Sequence, residues 1–362
     1  MKLVYDRRGD IVDLVPLEHW SEDLFQRIRH EVDREVEGGA TRVRRMWAFA
    51  SRRTAGTWRY RGVFQICEPP AGAPTAGQLV ADHPLVLEVA FVSSTAPMPL
   101  GLDRSVTATR RVELLLSVLL DCRFHQLPFY NEKCWVLVEK QRDPLVFGTE
   151  LRQVGFTADG FVAELDDFSV AGESMPEVDV AEYWGIRGRD MSEPLSIPNT
   201  LADSLDLFFL LPPQDQNQFL RACYWFQQGD DVWRSSMSSA FTSYIQAIET
   251  LQPPPRIEDH CKRCNRPIGP DPTAQFVDFV ERHAPGLPEK DRRRLYAVRS
   301  NVSHGNELFI HDEYRGFGGH FTPFESEQRH DTDTARLVAR VCLMGWLVER
   351  GLAVARATQE PT

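Results

Sequence analysis

The rhythm of apolar and polar positions changes about midway along the chain. Up to about residue 170 helical and strand periods are mixed. Ser21 sits where an N-cap belongs, and Leu24, Ile28 and Val32 recur at helical spacing after it. The stretch from Trp58 to Phe64 alternates aromatic with basic side chains at first, and Leu85 to Val92 is short and rich in β-branched residues, so both predict strands. Pro and Gly scattered through 68–84 predict a loop. A helix is expected from Ser105 to about Cys122, with Val112, Leu115, Leu116 and Leu119 on one face. Residues 134–138 and 161–165 read as two further strands.

Beyond residue 214 the helical period holds throughout. Phe219, Ala222, Cys223 and Phe226 fall at i, i+3, i+4 and i+7, and Met237, Phe241, Ile245 and Ile248 make a second stripe. Asp271 and Pro272 form an N-cap and first-turn pair ahead of a third stripe of Phe276, Phe279, Val280 and His283. Pro288 opens a fourth helix carrying Leu295, Val298 and Val302, with Gly305 placed to follow its end. Asp331 or Asp333 caps a fifth, whose apolar stripe is Leu337, Val341, Met344 and Val348. Helices that are each apolar along one stripe bury those stripes against one another, which predicts a bundle.

Between these regions, residues 171–200 accumulate Gly, Pro, Ser, Asp and Glu, and Pro212-Pro213 punctuates again. The expected organisation is therefore an α+β domain over 1–170, a linker over 171–213, and an all-α helical bundle over 214–355. Two domains also suit a length of 362 residues.

Composition narrows the function classes. The net charge of −11 gives no bulk attraction to DNA or to an anionic membrane, so any nucleic-acid contact must come from a local basic patch. The longest apolar runs are far too short to span a bilayer. The opening residues carry no apolar h-region, and the seven cysteines are spread along the chain. Both features predict a cytoplasmic protein with reduced thiols and no membrane partner. The first half contains no P-loop, GxGxxG, HExxH or GxSxG pattern.

The sharpest local feature is the segment Tyr296-Ala297-Val298-Arg299-Ser300-Asn301-Val302-Ser303-His304-Gly305. Histidine titrates near neutrality and serves as a proton donor or acceptor, and a guanidinium holds two phosphoryl oxygens at once. On an ideal helix the five-residue step sets Arg299 and His304 about 140° apart, so convergence requires the helix to end or distort before Gly305. Glu249, on the second bundle helix, has two readings: an ion-pair partner that orients Arg299, or a solvated helix carboxylate. Arg299 and His304 themselves read either as a catalytic or RNA-binding pair or as a cap and a structural pair.

At these residues the chain resembles the HEPN superfamily, and within it the Apea-like HEPN branch. The resemblance rests on the Arg-x4-His spacing ending in His-Gly, on the second-helix segment Phe241-Thr242-Ser243-Tyr244-Ile245-Gln246-Ala247-Ile248-Glu249-Thr250-Leu251, and on the Cys-x2-Cys after it. It covers about 214–355. The resemblance implies a metal-independent RNA endonuclease that works as a homodimer through its bundle, with Arg299 and His304 catalytic and with Ser300 and Asn301 beside them. It also implies a role in bacterial antiphage or abortive-infection defence, triggered by a regulatory protein or phage component. Ser300 departs from the Asn, Asp or His that many active members carry after the arginine. The alternative function is a non-catalytic dimerisation or partner-binding module.

Two further features have two readings each. Arg292, Arg293 and Arg294 lie one to two turns before Arg299, as a phosphate-binding face or a solvated basic face. Cys261 and Cys264 are half of a zinc site, with His260, His283 or a second subunit as the source of the remaining ligands, or they bind no metal. No cofactor is expected for catalysis itself. The loop expected over 305–331, with Gly316, Gly318, Gly319 and His320, follows His304 directly and is placed to cover the site.

Overall fold

The structure, a computed structural model, describes residues 2–5, 11–15, 39–77, 82–93, 98–126, 133–140, 150–157, 163–185, 193–253, 259–260, 267–268, 271–313 and 323–359. The helix expected after Ser21 lies outside them. Strands β1 (Lys2–Tyr5) and β2 (Ile11–Val15) pair antiparallel with each other. The main sheet is built from β3 (Thr41–Ala50), β4 (Thr57–Tyr60), β5 (Phe64–Cys67) and β6 (His83–Val92). Helix α1 (Met98–Leu119) follows, then β7 (Phe124–His125), β8 (Lys133–Glu139), β9 (Leu151–Thr157) and β10 (Ala163–Leu165). The sheet order is β10-β3-β6-β5-β4, antiparallel throughout, and β7 also pairs with β3.

From Met46 onward strand β3 is apolar on both faces because both are covered. Met46, Ala48 and Ala50 join Leu115, Val118 and Leu119 of α1 in the main core. The alternating residues Trp47 and Phe49 pack instead with Val86, Cys134 and Val136, under the β8–β9 hairpin. The run from Trp58 to Phe64 is not one strand but the β4–β5 hairpin, turning through Arg61 at φ +48°. Its aromatic-basic alternation is consumed within the fold. Tyr60 donates to Asp206 at 2.5 Å, Arg61 pairs with the same carboxylate, and Arg59 bonds Gln65 and the Ser169 carbonyl.

The expected linker is packed structure. Strand β11 (Glu177–Val178) pairs in parallel with β12 (Ile197–Pro198), and the short helix α2 (Val180–Gly185) lies between them in the chain. Met175, Tyr183, Leu195 and Ile197 are buried, and the Tyr183 hydroxyl donates to the Leu120 carbonyl at 2.6 Å. Gly56, at φ +83°, admits this segment: a Cβ there would stand 2.8 Å from the Glu173 carbonyl oxygen. Pro and Gly had marked irregular backbone, which is a separate matter from loose packing.

The helical half consists of α3 (Leu201–Leu210), α4 (Pro213–Val232), α5 (Met237–Leu251), α6 (Pro272–His283), α7 (Glu289–Ser303), α8 (Ile310–Glu313) and α9 (Pro323–Gln359). A two-residue pairing, β13 (Asp259–His260) with β14 (Pro267–Ile268), falls between α5 and α6. Asp271 caps α6 by accepting from the Thr273 N–H at 3.1 Å, and Ser236 caps α5 through Ser239. Helices α4 and α5 approach so closely that a Cβ on Gly229 would lie 2.4 Å from the Tyr244 ring.

The chain therefore has a sheet-containing N-terminal part and a helical C-terminal part, and one core runs through both. It extends without a break from Met46 to Leu347. Gln227 of α4 donates to the Phe124 carbonyl and, at 3.2 Å, to Ser117 Oγ of α1. Arg340 of α9 donates to the Val118 carbonyl at 3.0 Å, and Arg336 pairs with Asp121 at 2.8 Å. The expected break at 200–213 does not divide the core: Leu205 and Phe208 of α3 are fully buried in it.

Helix α9 corrects the reading of the fifth stripe. It begins at Pro323, ahead of Asp331 and Asp333, so the expected 305–331 loop is shorter and carries α8. Gly316, Gly318, Gly319 and His320 lie outside the described residues. Ala335, Val338, Ala339, Cys342, Leu343 and Leu347 face the core, whereas Leu337 is 60% exposed, Val341 38% and Val348 40%. Both flanks of the helix are apolar, and the face bearing small residues is the one that fits closely against its neighbours. Among the described residues no helix is long and apolar enough to cross a membrane.

Candidate functional site

Helix α7 supplies the candidate site, and its burial explains its orientation. Leu295 is buried, Val298 and Val302 pack at the edge of the core, and Tyr296 stacks obliquely on Phe276 of α6 with ring centres 5.2 Å apart. That packing turns Arg299 toward the last turn of α5. Its Nη2 donates to Glu249 Oε2 at 2.7 Å, with the two side chains 23% and 16% exposed. Glu249 is thus an ion-pair partner and not a solvated carboxylate. Arg299 Nε is enclosed without a hydrogen-bond partner among the described residues, and the guanidinium also lies 5.9 Å from the Tyr296 ring centre. Burial raises the Glu249 carboxyl above its ordinary value, and the Arg299 charge and hydrogen bond pull it back in part.

The end of α7 is set by glycine. Gly305 adopts φ +69°, its N–H donates to the Val302 carbonyl at 3.0 Å, and the Asn306 N–H donates to the Asn301 carbonyl at 2.9 Å. This is a Schellman closure, which favours glycine because a side chain resists that backbone angle. His304 is therefore the C-cap, exposed, with its N–H on the Ser300 carbonyl at 3.0 Å. Among the described residues no hydrogen bond joins His304 to Arg299. Asn301 reaches Glu307 at 3.4 Å, and Ser300 is partly buried.

The segment after His304 is pinned back onto α5. Phe309 is fully buried against Phe241, and its N–H donates to Ser238 Oγ at 2.8 Å. Asp312 accepts the Met237 and Ser238 N–H groups at 2.9 and 2.8 Å and the Ser236 hydroxyl at 3.1 Å. Burial alone would raise this carboxyl, but those hydrogen bonds outweigh it and hold it below its ordinary value. Sequence periodicity did not mark Asp312, because its partners lie more than seventy residues away.

The three arginines before Arg299 do not form one basic face. Arg292 is buried, 3.4 Å from Glu281 of α6. Arg293 pairs with Glu289 one turn back at 2.8 Å, and Arg294 grips Asp331 of α9 at 2.8 Å and Glu327 at 2.7 Å. Each charge is answered by a carboxylate, from α6, from α7 itself and from α9. Cys261 and Cys264 lie outside the described residues. The His283 side chain is 5% exposed, lies against Gly345 and stands 3.9 Å from Glu349. Among the described residues no cluster of three or more His, Cys, Asp or Glu is placed to hold a metal ion.

Comparison with protein-family models, curated proteins and solved structures returned no match to this chain. The functional reading therefore rests on the residues of the site.

Proposed function

We propose that the C-terminal end of α7 is the working end of a HEPN-type RNA endonuclease that acts without a metal cofactor, in the cytoplasm, in bacterial antiphage or stress defence. One observation carries the reading: Arg299 is aimed by Glu249 while His304 stands exposed on the same helix, at an end left open by Gly305. In this chemistry the RNA 2′-hydroxyl loses its proton and attacks the adjacent phosphorus. The 5′-oxygen leaves and takes up a proton, giving a 2′,3′-cyclic phosphate and a free 5′-hydroxyl. The imidazole transfers protons and the guanidinium stabilises the charge that gathers on the phosphoryl oxygens. Arg299 bonds Glu249, and among the described residues no hydrogen bond joins it to His304, so in this reading the complete site draws on a second copy of the chain, as a homodimer.

The test is incubation of the purified full chain with RNA in EDTA. Wild type is expected to produce cyclic-phosphate ends, and His304→Ala or Arg299→Ala to slow this by about 100-fold or more. Identical RNA profiles for wild type and His304→Ala under activating conditions overturn the proposal.

The second reading, a non-catalytic module that binds a partner protein, is favoured by the charge pairing. Arg292, Arg293, Arg294 and Arg299 each face a carboxylate, which leaves little positive field for RNA. Overexpression separates the two. An active nuclease is toxic and Arg299→Ala removes the toxicity, whereas a docking module is tolerated with or without Arg299.

A further inference from the structure

A concavity among the described residues shares no residue with the Arg299–His304 site. It measures about 980 Å³ and opens between the sheet-bearing part, through Arg52, Asp121, Tyr183 and Trp184, and the helical part, through the end of α6 and the middle of α9. One wall is the stripe that the sequence marked as core: Leu337, Val341, Met344 and Val348, spaced by four, three and four residues. This stripe is partly open to water, with Leu337 60% exposed, Val341 38% and Val348 40%.

The rest of the lining has a different chemistry. Four arginines border the cavity, Arg52, Arg282, Arg336 and Arg340, against two carboxylates, Asp121 and Glu349. Asp230, outside the lining, also holds Arg336 at 2.7 Å, so the balance is 4 − 3 = +1 in a chain whose net charge is −11. The Arg340 guanidinium carbon lies over the Trp184 indole, 3.4 Å from the ring centre, so a cation and an aromatic ring already meet at the wall. Apolar walls with a few convergent charged groups are the usual make-up of small-molecule sites, and such sites run to about 1,000 Å³.

We propose that this cavity binds an aromatic organic anion, whose ring lies between the α9 stripe and Trp184 and whose acidic group meets the arginines. The site goes beyond the nuclease reading and does not depend on it. Because its walls come from both parts of the chain, an occupant there bridges the sheet-bearing region and α9.

The probe is 8-anilinonaphthalene-1-sulfonate, titrated into the full chain by fluorescence. N-phenyl-1-naphthylamine, which has the same rings without the sulfonate, is the control. Saturable binding of one sulfonate dye per chain is expected, with the neutral dye at least tenfold weaker. Val341→Glu and Leu337→Glu alter exposed positions and are each expected to weaken the sulfonate dye at least tenfold. Arg282→Gln, at the rim, is expected to weaken it several-fold. Unchanged melting temperature and far-ultraviolet dichroism qualify each variant, and if one glutamate variant unfolds the other decides. Absence of saturable binding, wild-type affinity in the folded glutamate variants, or equal affinity for the neutral dye overturns the proposal.

Discussion

Arg299 of α7 and Glu249 of α5 meet at 2.7 Å across fifty residues of chain. The pair ties the end of the helix bearing His304 to the bundle, and both members are mostly withdrawn from water. Removing one partner leaves the other charge half-buried and unanswered. Glu249→Ala is therefore expected to cost about 1–3 kcal/mol in urea unfolding, and Glu249→Gln less, since the amide still accepts a hydrogen bond. In the RNA cleavage assay, activity is expected to fall with Glu249→Ala and to recover in part with Glu249→Gln, because the glutamine keeps Arg299 aimed.

Asp312 fastens the segment after His304 to the start of α5. Its folded carboxyl sits below the ordinary value. The stabilisation is therefore complete above the unfolded value, near 4, and is lost as the pH falls through the folded one. Asp312→Asn is expected to cost about 1–2 kcal/mol at pH 7, the scale of a lost helix cap. Unfolding curves of the two proteins should converge as the solution is acidified toward pH 3.

Glu113, in α1, has the opposite sign. It is almost wholly buried beside Arg110, and burial raises its carboxyl from 4.5 to about 7. The folded state holds this proton more firmly than the unfolded chain. Stability is thus lost as the pH rises from about 4.5 and levels off above 7, a change on the order of 3 kcal/mol. Glu113→Gln should remove that decline. His125, lowered to about 4 by burial and by the Arg123 charge, acts in the other direction between 4 and 6.5. The readout is therefore the difference between variant and wild type across pH 4–8.

How much of this was legible depended on distance along the chain. Asp271 and Pro272 at the start of α6, and Gly305 at the end of α7, were readable because a cap is a contact between near neighbours. The pairing of Arg299 with Glu249 was readable as one of two options, since both lie on strongly periodic helices. The answers to Arg292 and Arg294 were not, because Glu281 and Asp331 come from other helices and no local pattern points to them.

The sequence by itself determined the periods, the caps and the division into a mixed part and a helical part, since these follow from side-chain spacing and backbone preference over a few residues. Tertiary structure alone decided which apolar stripe of α9 is core and which lines a cavity. It also decided that Met175, Tyr183, Leu195 and Ile197, in the expected linker, are buried and that one core joins the two parts. The physical reason is that burial belongs to surfaces meeting in space: Leu337 and Leu343 are equally apolar, and only the elements packed around α9 distinguish them.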